Sequence, residues 1–158
     1  METSLKRIKE DIEKISSFNA TPGHGITRFS YSPEDKQARE YFMQQFERLG
    51  LKVKVDGVGN IRARLEGADP DLPVVMSGSH IDTVLHGGKF DGVVGSVGAL
   101  EVVRTLVDSN IKTKHPVEVV IFVEEEGSNF GSSMAGSKAM IGKYKLKDIK
   151  SIKNDKGI

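Results

Sequence analysis

At 158 residues the chain is long enough to bury one core, and at roughly 100–200 residues per domain it should form one domain or part of one. Lys and Arg number 23 against 22 Asp and Glu, a net charge of +1, so no field gathers nucleic acid or an anionic membrane. The lack of cysteine removes disulfides, thiolate zinc sites and cysteine nucleophiles, and leaves any metal to His, Asp and Glu.

The opening METSLKRIKEDIEKI carries charges every few residues, unlike the apolar core of a signal peptide or a membrane span, so a cytoplasmic location is expected. From Ser4 to Phe18, Leu5, Ile8, Ile12 and Ile15 recur at spacings of one helical face, which predicts an amphipathic helix packed on a core. Residues 19–31, with Pro22, Gly23 and Gly25, read as loop. Ser32-Pro33-Glu34-Asp35 then supplies a cap, a first-turn proline and first-turn acids for a second helix that stops at Gly50.

Leu51 to Asp56 and Asn60 to Leu65 alternate apolar and charged residues across a Gly57–Gly59 turn, the pattern of a half-exposed hairpin. Val74 to Met76 and Val117 to Val123 are short apolar runs, as expected of strands buried on both faces. Val93 to Leu106 between them has helical periodicity, so strand, helix and strand predict a right-handed parallel crossover in an α/β sheet, mostly parallel and flanked by helices. The final KLKDIKSIKNDKGI reads as a connection without a closing strand or helix cap, and its abrupt end suggests a truncated product.

Three segments carry side chains suited to chemistry. Ser77-Gly78-Ser79-His80-Ile81-Asp82-Thr83 follows the apolar run at Val74 to Met76, and ligands of open α/β sheets gather at the carboxyl ends of strands. A metal-binding imidazole needs its other ring nitrogen held by an acceptor, and Asp82 is placed to hold that of His80. A strand-end His bonded to a nearby carboxylate is equally an ordinary structural feature. Gly87-Gly88-Lys89-Phe90-Asp91-Gly92 opens the next helix, where Asp91 is favoured electrostatically and could serve simply as an N-cap. Glu124-Glu125-Glu126 closes the run Val117 to Val123. Three adjacent carboxylates repel unless solvated or neutralised by cations.

Jointly these strand-end loops converge on one sheet edge, which makes a dinuclear site with His and carboxylate ligands a physical hypothesis for metal-assisted hydrolysis. His24, His86 and His115 are expected to be structural or exposed, although His24 and His86 could line the route of a substrate. A phosphate-binding domain built on Gly92, Gly95 and Gly98 is poorly supported, because G-x-x-x-x-G-K-[ST] and G-x-G-x-x-G are both absent.

GSHIDTVLHGGKFDGVVGSVGALEVV and VVIFVEEEGSNFGSSMAGSKAM resemble the signature of the N-carbamoyl-L-amino-acid hydrolase and allantoate amidohydrolase family, a branch of the dinuclear zinc amidohydrolases related to aminoacylases and carboxypeptidases. Asp91 lies eleven residues after His80 and Glu126 thirty-five after Asp91, as in that family. Weaker similarity covers TRFSYSPEDKQARE and VDGVGNIRARLEG. The resemblance implies the N-terminal half of a zinc-aminopeptidase-like catalytic domain over residues 1–158, with the lid and dimerisation domain and the C-terminal part absent.

It further implies that His80 binds one of two divalent ions (zinc, or manganese, cobalt or nickel), that Asp91 bridges both and that Glu126 binds the other. Glu125 would be the general base and Asp82 would orient His80, with Glu124 unassigned and a cis peptide following Asp91. Many members have Arg where this chain has Asn129. The family's two remaining His ligands, its substrate-carboxylate Arg and its dimer-forming lid would lie beyond Ile158. A small-molecule carbamoyl or ureido substrate, a homodimer for the complete enzyme and self-association of this chain alone are the corresponding expectations. A peptidase or aminoacylase of the wider clan and a non-catalytic remnant are the alternatives.

Overall fold

The computed structural model describes residues 2–154 and 157; Met1, Asp155, Lys156 and Ile158 lie outside the described residues, so the chain end read as abrupt is not part of the description. The amphipathic N-terminal segment forms α1 (Leu5–Ser17), with the Ser4 hydroxyl accepting the Arg7 N–H as its cap. Ile12 and Ile15 are buried, Ile8 packs beside them and Leu5 at the first turn remains exposed. Ser32 caps α2 (Pro33–Arg48) through the Asp35 N–H, and Pro33 fits the first turn, where a missing N–H has no cost.

The hairpin forms as β1 (Lys52–Val55) and β2 (Ile61–Leu65), joined through a turn in which the Asp56 carboxylate accepts the Val58 and Asn60 N–H groups. β3 (Val75–His80), α3 (Val93–Asp108) and β4 (Val117–Phe122) follow, and β3 and β4 pair in parallel. Two short helices, α4 (Ala135–Met140) and α5 (Leu146–Ser151), close the described chain. The Lys-rich end is therefore partly helical where a plain connection was expected. The Lys145 N–H donates to the Asp148 carboxylate at 2.9 Å and so anchors the first turn of α5.

The sheet order is β1-β2-β4-β3, and this corrects the expected mostly parallel sheet. β1 with β2 and β2 with β4 are antiparallel, and only β3 with β4 is parallel. The α3 crossover dictates a parallel partner for β4 on one side, whereas the hairpin docks β2 on its other side in the opposite sense. The same order puts β3 at an edge. Val75 and Met76, expected to be buried on both faces, are 56% and 42% exposed.

One sheet face meets α2 and α3, and α1 packs on α3. Ile61, Ala63, Val119 and Ile121 pack with Ile12, Ile15, Phe42, Phe46, Val97, Leu100 and Val103 in a single core. Burying each large side chain contributes about 1.5–3 kcal/mol, so Phe42 and Phe46 anchor α2 to the hairpin. The intervening residues of β4 face the other side, where Glu118 pairs with Arg62 at 2.5 Å.

Candidate metal centre

His80 is the last residue of β3 and lies in register with Phe122 of β4. This parallel pairing brings the chain that follows Phe122, including Glu124 to Glu126, beside His80 and Asp82. Gly92 then seats the start of α3 against the imidazole. A Cβ there would stand 2.6 Å from the His80 ring, and its φ of 63° is one that L side chains rarely adopt. Three residues on, a Cβ at Gly95 would stand 2.7 Å from Ser79 Cβ, so its absence lets α3 lie close on β3.

Asp82 is the centre of the hydrogen bonding. The His80 Nδ1–H donates to the Asp82 backbone carbonyl at 3.0 Å, with Asp82 Oδ1 at 3.6 Å. A carbonyl can only accept, so Nδ1 carries a proton, and in the neutral imidazole the lone pair is then on Nε2. Asp82 Oδ2 accepts the Glu126 N–H at 3.0 Å. Asp82 was expected to hold His80 through its carboxylate. Its main chain makes the shorter contact, and its carboxylate also anchors the loop that carries the glutamates.

His80 Nε2 stands 3.6 Å from Glu125 Oε2 and 3.9 Å from Asp91 Oδ1. One ligand atom each from His80, Asp91 and Glu126 lies within 4.8 Å of the other two, so these three side chains could hold a metal ion. Donors around one zinc ion sit about 2.0–2.2 Å from it, so this spacing asks for a small closure around one ion or suits two neighbouring ions. Asp91 is not an N-cap. Gly92 occupies that position, no side chain caps α3, and the Asp91 side chain is 70% exposed. No peptide bond is cis among the described residues, which corrects the expectation for Asp91–Gly92; the positive φ of Gly92 turns the chain there instead.

The electrostatics fit a cation. Burial alone would lower the His80 pKa, but the Asp82 hydrogen bonds and charge, with Glu125 beyond, raise it above its ordinary value. Burial alone would raise the Asp82 carboxyl, yet His80 and the Glu126 and Glu125 N–H groups hold it below the usual range. Glu126 is raised by burial and by the adjoining Asp91 carboxylate. Among the described residues no Lys or Arg forms an ion pair with Asp91, Glu125 or Glu126. A positive ion would reverse the mutual repulsion of these acids.

The third carboxylate of the run is structural. Glu124 is buried at a φ of 53°, and its Oε1 accepts the Asn129 and Phe130 N–H groups at 3.2 and 2.8 Å. Burial, opposed by those donors, raises its pKa. Asn129 stays on this loop, donating from Nδ2 to the Ser30 carbonyl at 2.6 Å. The remaining histidines are not members of this cluster. His24 and His86 face each other with ring centroids 6.1 Å apart, and His115 Nδ1 contacts the Pro73 carbonyl at 2.7 Å.

One residue of the centre's support has a role that its local sequence does not disclose. Arg28, in the loop before α2, is 1% exposed and reaches the backbone between His80 and Asp82. It lies in the weakly similar segment TRFSYSPEDKQARE, but no periodicity or spacing discloses its role, because its partners are distant carbonyls.

No helix among the described residues is long and apolar enough to cross a membrane. The profile of peptidase family M20/M25/M40 matches residues 76–156, more than half of the chain. The N-carbamoyl-L-amino-acid amidohydrolase of Paenarthrobacter aurescens is 40% identical over 97% of this chain and 37% of its own length. The allantoate amidohydrolase of Escherichia coli (strain K12) is 39% identical over 95% of this chain and 36% of its own. The crystal structure of a hydantoinase/carbamoylase family amidase from Burkholderia ambifaria superimposes with a TM-score of 0.95 at 39% identity, covering 99% of this chain and 39% of that one. The chain thus spans little more than a third of the length of these relatives. With HxD, FDG and EEE brought to one point on an α/β scaffold that these hydrolases share, the chain belongs to peptidase family M20/M25/M40.

Proposed function

We propose that these 158 residues form the N-terminal half of the catalytic domain of a metal-dependent amidohydrolase. Its substrates would be N-carbamoyl amino acids or a ureido acid such as allantoate, cleaved at the carbamoyl C–N bond. The convergence of His80, Asp91, Glu125 and Glu126, with no Lys or Arg among the described residues to pair the acids, carries the reading. Relatives about 40% identical are named for these activities.

In this reading His80, Asp91 and Glu126 would hold divalent ions, zinc or manganese, cobalt or nickel. The ions would polarise the scissile carbonyl and acidify water. Glu125 is the general base: its carboxylate takes a proton from the attacking water and returns it to the departing nitrogen. Asp82 keeps His80 in the Nδ1–H form, so that Nε2 remains available as a ligand. From a carbamoyl group the products are the free amino acid, ammonia and carbon dioxide.

The chain alone supplies three side-chain ligands, and the reading expects it to bind metal weakly and to turn over nothing. Its open β3 edge, with Val75 and Met76 exposed, would favour self-association. Co-expression with the C-terminal part of a close relative should restore release of ammonia from an N-carbamoyl amino acid or allantoate, but not hydrolysis of a dipeptide or an N-acetyl amino acid. Glu125→Gln should then abolish turnover while elemental analysis still finds metal. Robust turnover by the 158-residue chain alone, or activity on dipeptides only, would refute it.

A further inference from the structure

Arg28 is among the largest fully buried side chains of the described residues, and its guanidinium bonds no carboxylate among them. Its Nε donates to the Ile81 carbonyl at 2.7 Å, and its Nη1 donates to the Ile15 and Phe18 carbonyls at 2.9 and 3.0 Å. The last two lie at the C-terminal end of α1, where a cation is favoured; the Ile15 carbonyl also accepts the Phe18 N–H at 3.2 Å. The main chain of Arg28 completes the grip. Its N–H donates to the Thr83 hydroxyl at 2.9 Å, and its carbonyl accepts the Thr83 N–H at 3.0 Å.

Arg28 therefore holds the carbonyl just before Asp82 and the amide just after it. Both peptide planes that flank Asp82 are fixed from one residue, which is itself tied to α1. Asp82 in turn sets the His80 ring through its carbonyl and the Glu126 backbone through its carboxylate. A rotation of either plane would swing that carbonyl and carboxylate together, so His80 and the glutamate loop would lose their alignment at once.

We propose that Arg28 is a positioning residue of the metal centre, fixing Asp82 so that His80 presents Nε2 and the Glu125–Glu126 loop is held beside it. The proposal rests on the metal-centre reading above. It predicts two effects that a general loss of stability would not produce, namely a changed His80 tautomer and weaker metal binding in protein that is still folded. Partners that orient metal ligands typically change metal affinity 10–100-fold when altered.

The test uses the 158-residue chain with Co2+ as the probe, its affinity read from the visible absorption band, and two-bond 1H–15N correlation spectra of metal-free protein. The spectra are taken at about pH 8.5, above the ordinary imidazole pKa. Wild-type His80 should show the Nδ1–H tautomer. In Arg28→Lys, which cannot reach all three carbonyls, the tautomers should mix and Co2+ should bind at least about tenfold more weakly. Phe42→Leu, destabilised in the core between α2 and the hairpin, should match wild type in both readouts at temperatures where it is folded.

Should Arg28→Lys not fold, Thr83→Val and Thr83→Ser decide. Valine removes the hydroxyl that accepts the Arg28 N–H and should show both effects, whereas serine keeps it and should restore wild-type behaviour. Folded Arg28→Lys with wild-type tautomer and affinity, or equal behaviour of the two Thr83 variants, overturns the proposal. Failure of wild type to take up Co2+ would defeat the metal reading, and the His80 tautomer would still decide the role of Arg28.

Discussion

Two acidic clusters in this molecule are built on opposite principles. Between α1, α2 and α3, Asp11 and Glu101 are buried, and each carboxylate has guanidinium partners. Arg104 bonds Asp11, Arg7 bonds Glu101 at 2.7 Å, and Tyr41 donates to Asp11 at 2.5 Å. Burial would raise Glu101, yet Arg7, with the Ser4 N–H and Arg104, holds it below the ordinary carboxylate range. At the strand ends, Asp91, Glu125 and Glu126 share one imidazole, and Glu126 is pushed up instead. The first cluster carries its own counter-charges and serves packing. The second has no such counter-charge among the described residues, which is what the proposed metal centre requires.

Removing a built-in cation is the harshest way to break this contrast. Arg104→Met leaves Asp11 buried without its guanidinium, and the loss in a urea melt should be about 3–5 kcal/mol. A loss below about 1 kcal/mol would mean that this cluster is no better compensated than the strand-end one. Supplying the missing cation is the converse. A divalent ion at about 100 times its Kd should stabilise the folded chain by about 2.7 kcal/mol. His80→Ala and Asp91→Asn should abolish that gain, while Arg7→Met should leave the increment intact.

Asp35 is an intermediate case that sharpens the comparison. Burial pushes its pKa up to about 6, against the opposing charges of Arg39 and Arg28. The folded protein holds this proton more tightly than the unfolded chain, so the resulting stabilisation is complete below about pH 4 and is lost as the pH rises through about 6. Urea melts across that window should show a decline on the order of 3 kcal/mol that Asp35→Asn removes. The smallest effect belongs to the site without metal. Glu126→Gln removes one of the mutually repelling charges and should leave stability unchanged or raised by about 0–1 kcal/mol, where a structural ion pair would lose it.

The long elements were legible because their signals are local. The face of Ile8, Ile12 and Ile15, the Ser32-Pro33 start and the alternation of the hairpin each place an element close to where it forms. α4 and α5 escape the helical pattern, since six residues give too little periodicity. The apolar run at Val74 to Met76 marked a strand but not its exposure, because an edge and a centre can share one pattern.

The candidate site was legible as a set of residue types, and its internal division of labour was not. HxD, FDG and EEE at strand ends pointed to His80, Asp82, Asp91, Glu125 and Glu126, and the geometry brings these together. Which glutamate of the run turns inward depends on the left-handed backbone at Glu124 and its bonds to Asn129 and Phe130. By itself the sequence determined where helices and strands begin and which ligand chemistry is present, since propensity, capping and donor atoms belong to single residues and near neighbours. Only the tertiary structure decided the antiparallel docking of the hairpin, the exposure of β3 and the reach of Arg28 to Ile81, because each depends on atoms from segments far apart in the chain meeting in space.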